Sequence, residues 1–198
     1  MSRTHSFKQG LAKVLRRWKK EDYDAALRDL EELRQRWPGS AHLEILWATI
    51  VQLQENPSDS LADVKLALER AIELDQDSPA GPIELGHFLD AVEDDPRAAA
   101  KAFAEGVSSA RRLLIDGLLG QARASLQLNR KQDALACLAE ALYLANVGDS
   151  SKTSRTADAA PDVLLRDPAG WLQFLQVKGP FAIRIEDLLE EVSRRRSA

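Results

Sequence analysis

The stretch that decides the fold runs from Ser78 to Gly106 and reads SPAGPIELGHFLDAVEDDPRAAAKAFAEG. A first apolar stripe ends in an acidic turn, and a second stripe follows it. In the second stripe small Ala99, bulky Phe103 and small Gly106 are four and then three residues apart, which puts all three on one helix face. Small residues let a neighbouring helix come close. The stretch therefore predicts a helix–turn–helix hairpin built to pack against another helix.

The same spacing of apolar residues occurs at nearly regular intervals along the chain. The signatures are Ala26–Leu30–Leu33, Val64–Leu68–Ala71, Ala99–Phe103–Gly106 and Ala134–Leu138–Ala141. Their starts are separated by 38 residues once and by 35 residues twice. Self-similarity at this period is typical of helical repeat proteins, in which each hairpin buries its apolar face against the next one. We therefore predict an all-α chain with about four hairpins.

Composition and charge limit the class of protein. The 198 residues are 44% hydrophobic and 29% charged, and the only cysteine excludes an internal disulfide framework. No apolar run approaches the roughly 18 residues of a membrane span, and no apolar signal segment is visible. Residues 1–20 carry seven Lys or Arg and no acid, whereas the rest of the chain has 20 basic and 31 acidic residues. We expect a soluble, cytoplasmic protein without a transmembrane segment.

The basic N-terminus forms a predicted amphipathic helix over residues 6–20. Two interpretations stay open. In one, its Lys and Arg side chains contact an acidic partner, nucleic-acid phosphates or anionic lipid. In the other, the helix is the first of the first repeat and its charges are solvated. The helix leads directly into Asp22 and the next apolar stripe, which favours the second interpretation.

Domain organisation follows from a change in composition near Asn146. The repeats occupy residues 1–145. Residues 146–162 are rich in Ser, Thr, Gly and Asp, which predicts a flexible linker. Residues 163–198 predict a C-terminal helical appendage or cap. Within the repeats, Ser108 and Ser109 either break the helix or lie inside one long bent helix.

The appendage contains an apolar cluster, Trp171, Leu172, Phe174 and Leu175. One interpretation places this cluster on the end of the last hairpin, around Leu138 and Leu142. The other places it in the groove of the solenoid, against Ile83 and Leu119. The end position is favoured, because the last hairpin of a solenoid otherwise exposes its apolar face.

Several residues of the repeats follow the pattern of a known protein family. Tyr23, Ala26 and Leu30, followed by Pro38, and the large–small pair Leu85–Gly86 resemble the tetratricopeptide repeat, a hairpin of about 34 residues. The resemblance covers residues 10–145. It implies a right-handed superhelical solenoid of about four hairpins plus C-terminal helices. It also implies a binding face, because the first helix of each hairpin lines the concave groove in that family.

The resemblance assigns a row of partner-binding residues to that groove. They are His42, Ile45, Thr49, Gln52, Ile83, His87, Asp90, Leu119, Arg123 and Leu126. Ile45, Ile83 and Leu119 stand where family members that hold chaperone tails carry cations, so this groove is mostly apolar. It suits an extended peptide or a helix of another protein. Alternatively, some of these apolar residues pack against the C-terminus of the chain.

The function we expect is therefore a non-catalytic scaffold or adaptor for a protein partner. A chaperone-like or regulatory subunit of a larger complex is an alternative, and so is binding of phosphate or an anionic surface by the basic N-terminus. Nucleic acid is not favoured as a partner, and the oligomeric state stays open. His5, His42 and His87 lack metal-ligand spacing, and Cys137 lacks a visible base. No catalytic residue, cofactor or metal site is predicted.

Overall fold

The computed structural model describes residues 3–55, 57, 59–146 and 181–194, and these form eight α-helices and no strand. The all-α prediction is confirmed for this part of the chain. Two compact units are present, Met1–Ala110 and Arg111–Ala198. The helices are α1 (Arg3–Trp18), α2 (Tyr23–Arg36), α3 (Ala41–Val51), α4 (Leu61–Leu74), α5 (Ala80–Ala91), α6 (Pro96–Gln127), α7 (Lys131–Asn146) and α8 (Ala182–Arg194).

In the first unit, helices that are neighbours in sequence are neighbours in space. Helices α1 and α2 pack on each other, as do α3 and α4, while α2 packs on α3 and α4 on α5. Helix α3 also contacts α5 directly. Each hairpin thus buries its apolar side chains against the next, as repeats do. The largest buried side chains here include Val14, Leu30, Leu43, Ile50, Leu68 and Phe88.

The helix ends show how local sequence sets these hairpins. Helix α2 begins after Asp22, whose carboxylate accepts the backbone N–H of Ala25, and it ends just before Trp37. Ser40 is the N-cap residue of α3, but its side chain makes no capping hydrogen bond. Ser60 does cap α4 and forms a reciprocal capping box with Asp63.

Two glycines allow α5 and the first half of α6 to approach closely. A Cβ atom added at Gly86 would lie 2.7 Å from the ring of Phe103, and one added at Gly106 would lie 2.6 Å from the side chain of Ile83. Side-chain atoms do not approach a Cβ so closely without moving. Phe103 and Gly106, the last two residues of the small–large–small pattern, therefore lie where α6 packs on α5.

Replacing Gly86 by leucine should overpack this crossing, because the new side chain and the Phe103 ring would occupy the same space. We expect the free energy of unfolding to fall by about 1–3 kcal/mol in urea denaturation. Gly39→Leu is the matched control, since no atom lies within 4 Å of an added Cβ at that exposed turn. An equal melting temperature for both variants would contradict the observed crossing.

Helix α6 runs without interruption from Pro96 to Gln127. The break considered at Ser108 and Ser109 is absent, and Ser109 is buried within the helix. Ala, Leu and Arg dominate this segment and favour continuous helix. The chain therefore lacks the turn that would separate a third from a fourth hairpin. Helix α6 alone carries the second apolar stripe of the third hairpin and the first apolar stripe of the fourth.

The second unit has a core of its own. The second half of α6, helix α7 and helix α8 share one buried cluster, and α8 packs directly on α7. Ile185, Leu189 and Val192 of α8 are fully or almost fully buried in it, together with Leu138 and Leu142 of α7. The surface around Leu138 and Leu142 is thus covered by α8, which belongs to the predicted appendage. Residues 147–180, which hold most of the predicted linker and the Trp171 cluster, lie outside the described residues.

Candidate protein-binding face of helices α3 and α5

The predicted partner-binding residues of the first unit lie on two neighbouring helices. On α3, His42 and Gln52 are exposed, while Ile45 and Thr49 are partly buried between them. The Thr49 hydroxyl donates to the carbonyl oxygen of Ile45 at 2.9 Å, and the Gln52 amide donates to that of Ala48 at 2.9 Å. These polar groups are therefore hydrogen-bonded within their own helix. The α3 side of the face combines polar atoms with no formal charge.

The α5 residues continue this face towards α6. His87 is exposed, and its ring meets that of Phe103 edge-on with centroids 5.0 Å apart. Ile83 is partly buried beside Gly106. Asp90 is exposed and supplies the one formal charge of the predicted row in this unit. We call the surface made by His42, Ile45, Thr49, Gln52, Ile83, His87 and Asp90 the α3–α5 face.

The predicted residues on α6 lie in the second unit and have different surroundings. Leu119 and Leu126 are each 1% exposed and share the buried cluster with Ile185 and Leu189 of α8. They do not offer a surface to a partner, because the C-terminus of the chain covers them, as in the alternative considered from sequence. Arg123 is exposed. Seven of the ten predicted residues therefore lie in the first unit, at α3 and α5, and none of these seven is fully buried.

A buried ionic group holds α3 in place from the opposite side. Glu44 of α3 is 2% exposed, and its carboxylate lies 2.5 Å from Arg34 of α2 and 3.9 Å from Arg70 of α4. The Arg34 guanidinium also stacks 4.5 Å from the ring centre of Trp47. Because a buried carboxylate needs such partners, the group links three helices and fixes the orientation of α3. Sequence reasoning missed it, although Glu44 is the only acidic residue in an otherwise apolar helix.

Next to the end of α3 lies an acidic cleft of about 310 Å³ that was not predicted. Its lining residues are Glu21, Asp22, Tyr23, Asp24, Gln54 and Glu55. The Gln54 amide donates to the Asp24 carboxylate at 2.6 Å. Four carboxylates at this point disfavour anionic ligands at the adjacent end of the α3–α5 face.

The basic side chains of α1 and of the turn that follows it divide into two groups. Lys13 and Arg17 lie 2.8 Å and 2.9 Å from the mostly buried carboxylate of Asp29, so they hold α1 on α2. Others are exposed and have no ion pair within the described residues: Lys8, Arg16, Lys19 and Lys20. Part of the N-terminal charge is therefore structural, and part is available at the surface.

The sequence has one cysteine, Cys137, and its surroundings bear on its reactivity. Cys137 is buried in the core of the second unit, and burial together with the nearby carboxylates of Glu140 and Asp133 raises the pKa of its thiol. A protonated thiol is a poor nucleophile and a poor ligand. Among the described residues no group of three or more His, Cys, Asp or Glu side chains could hold a metal ion. None of the described helices has both the length and the apolar character that crossing a membrane requires.

Known proteins show little similarity to this chain. No protein-family profile matches the chain, and no curated protein sequence matches it either. Among solved structures, the chain is similar to the crystal structure of the MamA protein, with 13% sequence identity and a TM-score of 0.45. The similarity covers 98% of this chain and 95% of that chain. A TM-score below 0.5 does not establish a shared fold.

Proposed function

We propose that the chain is a tetratricopeptide-like repeat protein and a non-catalytic, cytoplasmic scaffold or adaptor. It binds an extended peptide or a helix of another protein on the α3–α5 face. The observation that supports the proposal is the direct packing of α3 beside α5, the two helices to which most of the predicted binding residues belong. In this proposal the hairpins stack as a right-handed solenoid and this surface belongs to its concave side.

The chemistry of the face indicates the kind of partner. Ile45 and Ile83 offer partly buried apolar positions, whereas His42 and His87 offer exposed rings with hydrogen-bonding nitrogens. Such a surface suits a partner segment that inserts alternate apolar side chains and makes a few polar contacts. With Asp90 as its one formal charge, the face should bind with weak dependence on salt.

A capture experiment tests the proposal. The full chain is immobilised, proteins retained from the native cell extract are identified, and capture of each is compared with that by the variant His42→Asp/His87→Asp. The two new carboxylates should reduce specific capture at least tenfold, because each would lose its water against apolar groups of the partner. A tenfold change corresponds to about 1.4 kcal/mol of binding free energy. The matched control is Arg16→Glu/Lys20→Glu, which changes exposed charges on α1 and on the turn after it and should leave capture unchanged.

The exposed cations of the N-terminal segment support a second candidate function, binding of phosphate groups or another anionic surface. Lys8 and Arg16 lie on α1, and Lys19 and Lys20 follow its end. The apolar side of α1 is packed on the protein, and its aromatic residues are partly buried, with Phe7 against Trp37. Contact would therefore be purely electrostatic and would weaken steeply with salt. Capture that is lost in the α1 variant and in high salt, but kept in the α3–α5 variant, would replace the first proposal with this one.

A further inference from the structure

One side of the second half of α6 is exposed and carries no charge. Leu113, Leu114 and Leu128 are 53%, 49% and 64% exposed. The residues between them on the same side are exposed as well, and the spacing of three and four residues places all of them on one face. We call this surface of the second unit the open face of α6, and its residues are Leu113, Leu114, Gly117, Gly120, Gln121, Ala124 and Leu128.

The middle of the open face leaves room for another helix. Glycine inside a helix is destabilising relative to alanine, so it usually accompanies a close approach. At Gly86 and Gly106 that approach is the crossing of α5 and α6. At Gly117 and Gly120, by contrast, an added Cβ meets no atom within 4 Å. Exposed leucines around two small residues therefore form ridges and a groove of the kind that helices use to pack on each other.

Two opposite charges lie along one edge of the open face. Asp116 and Arg123 are both exposed, and their separation of seven residues places them on the same side of the helix. Asp116 pairs with Arg184 of α8, yet 59% of its side chain is exposed. Arg123 makes no ion pair with another described residue. Each of these two charges can therefore accept a partner from outside the chain.

The open face is complementary to itself when two copies are antiparallel. A two-fold axis midway between Gly117 and Gly120 places each of them opposite the other glycine of the second copy, and it places Leu113 opposite Ala124. Asp116 of one copy then lies on the same edge as Arg123 of the second copy, at a level about 3 Å away along the helix axis. The same pair forms a second time with the copies exchanged.

The charges also select this orientation over the parallel one. In a parallel pair of α6 helices, the nearest edge residues to Asp116 and Arg123 are Gln121 and Leu128 of the second copy, so neither charge meets its opposite. In the antiparallel pair one symmetry operation matches the charges and the small residues together. A partner of unrelated sequence does not require such a match, which favours a second copy as the occupant.

We propose that the open face of α6 is a contact between two copies of this chain, with the two helices antiparallel and the Asp116–Arg123 ion pair made twice. The contact removes three exposed leucines of each copy from water. It spans only about four helical turns. Association should therefore be reversible and depend on concentration. The contact is independent of the α3–α5 face, and two copies that each bind a partner there would form a bivalent scaffold.

Sedimentation equilibrium of the full chain tests the proposal. The unchanged chain should be monomeric at low micromolar and dimeric at high micromolar concentration. Arg123→Glu places two carboxylates opposite each other at both edge contacts, and Asp116→Arg does the same with two arginines. Each variant alone should raise the dissociation constant of the dimer about tenfold or more. An equimolar mixture of the two variants should restore dimerisation, because every carboxylate of the pair then faces an arginine.

The mixture separates complementary charges from damage to the fold, since mixing does not restore a chain that is unfolded. Both variants should keep the helical circular dichroism of the unchanged chain. Arg16→Glu makes the same charge change at an exposed position of the first unit and should leave the dissociation constant unchanged. A chain that stays monomeric at every concentration overturns the proposal, and the open face then has another occupant. A dimer that both single variants keep also overturns it, as does a mixture of the variants that stays monomeric.

Discussion

Replacing Glu44 by alanine should lower the free energy of unfolding by about 3–5 kcal/mol, because it leaves the largely buried Arg34 without its closest counter-charge. The Glu44 carboxylate joins α2, α3 and α4, so its loss affects three helices together. Urea denaturation followed by circular dichroism measures the change. Since α3 carries half of the α3–α5 face, the variant should also bind the captured partner less tightly.

The control for this prediction uses the same arginine. Glu31 also pairs with Arg34, at 3.0 Å, but it lies on the exposed side of α2 one turn away. Glu31→Ala should therefore change the free energy of unfolding by only about 0–1 kcal/mol. Equal effects of the two substitutions would mean that Glu44 acts as an ordinary surface carboxylate and does not fix α3.

Short-range patterns made much of the first unit predictable. The signature Ala26–Leu30–Leu33 is buried on α2, which begins after the capping residue Asp22 and ends before Pro38. The signature Val64–Leu68–Ala71 is likewise buried on α4. The close approach at Gly86 also follows from residue size. Each of these features is decided within one hairpin or between adjacent helices.

The features that the sequence did not decide depend mostly on contacts that residue spacing does not encode. Leu119 and Leu126 have the spacing of groove residues, but α8 supplies buried partners more than 50 residues further along the chain. Ser109 lies where a break was considered, yet the helix-forming residues on both sides continue through it. Glu44 was assigned no role because the two arginines that surround it come from other helices. At Leu119, Leu126 and Glu44, contacts with other helices therefore decide what the local sequence leaves open.

The position of the residues of the α3–α5 face also depends on tertiary contacts. The resemblance to a repeat family suggested all ten residues, but only the packing of α3 on α5 brings seven of them together in one unit. Ile83 and His87 also lie against Gly106 and Phe103 of α6. Their spacing in the sequence did not predict this. A partner on this face would therefore touch a surface supported by three helices, which favours a fixed site over an adaptable one.

Truncating Ile185 of α8 to alanine should lower the free energy of unfolding of the second unit by about 2–5 kcal/mol, because this side chain is completely buried among α6 and α7 residues. Ile183 on the same helix is 72% exposed and provides the control. Ile183→Ala should change stability by no more than about 0.5 kcal/mol. Both variants lose the same atoms and the same helix propensity, so their difference measures burial alone. Hydrogen exchange of the α7 backbone amides is the direct readout. Exchange should accelerate in Ile185→Ala and stay unchanged in Ile183→Ala. If α7 exchanges equally in both, α8 does not stabilise the last helical pair, and the apolar surface around Leu138 and Leu142 must be covered in another way.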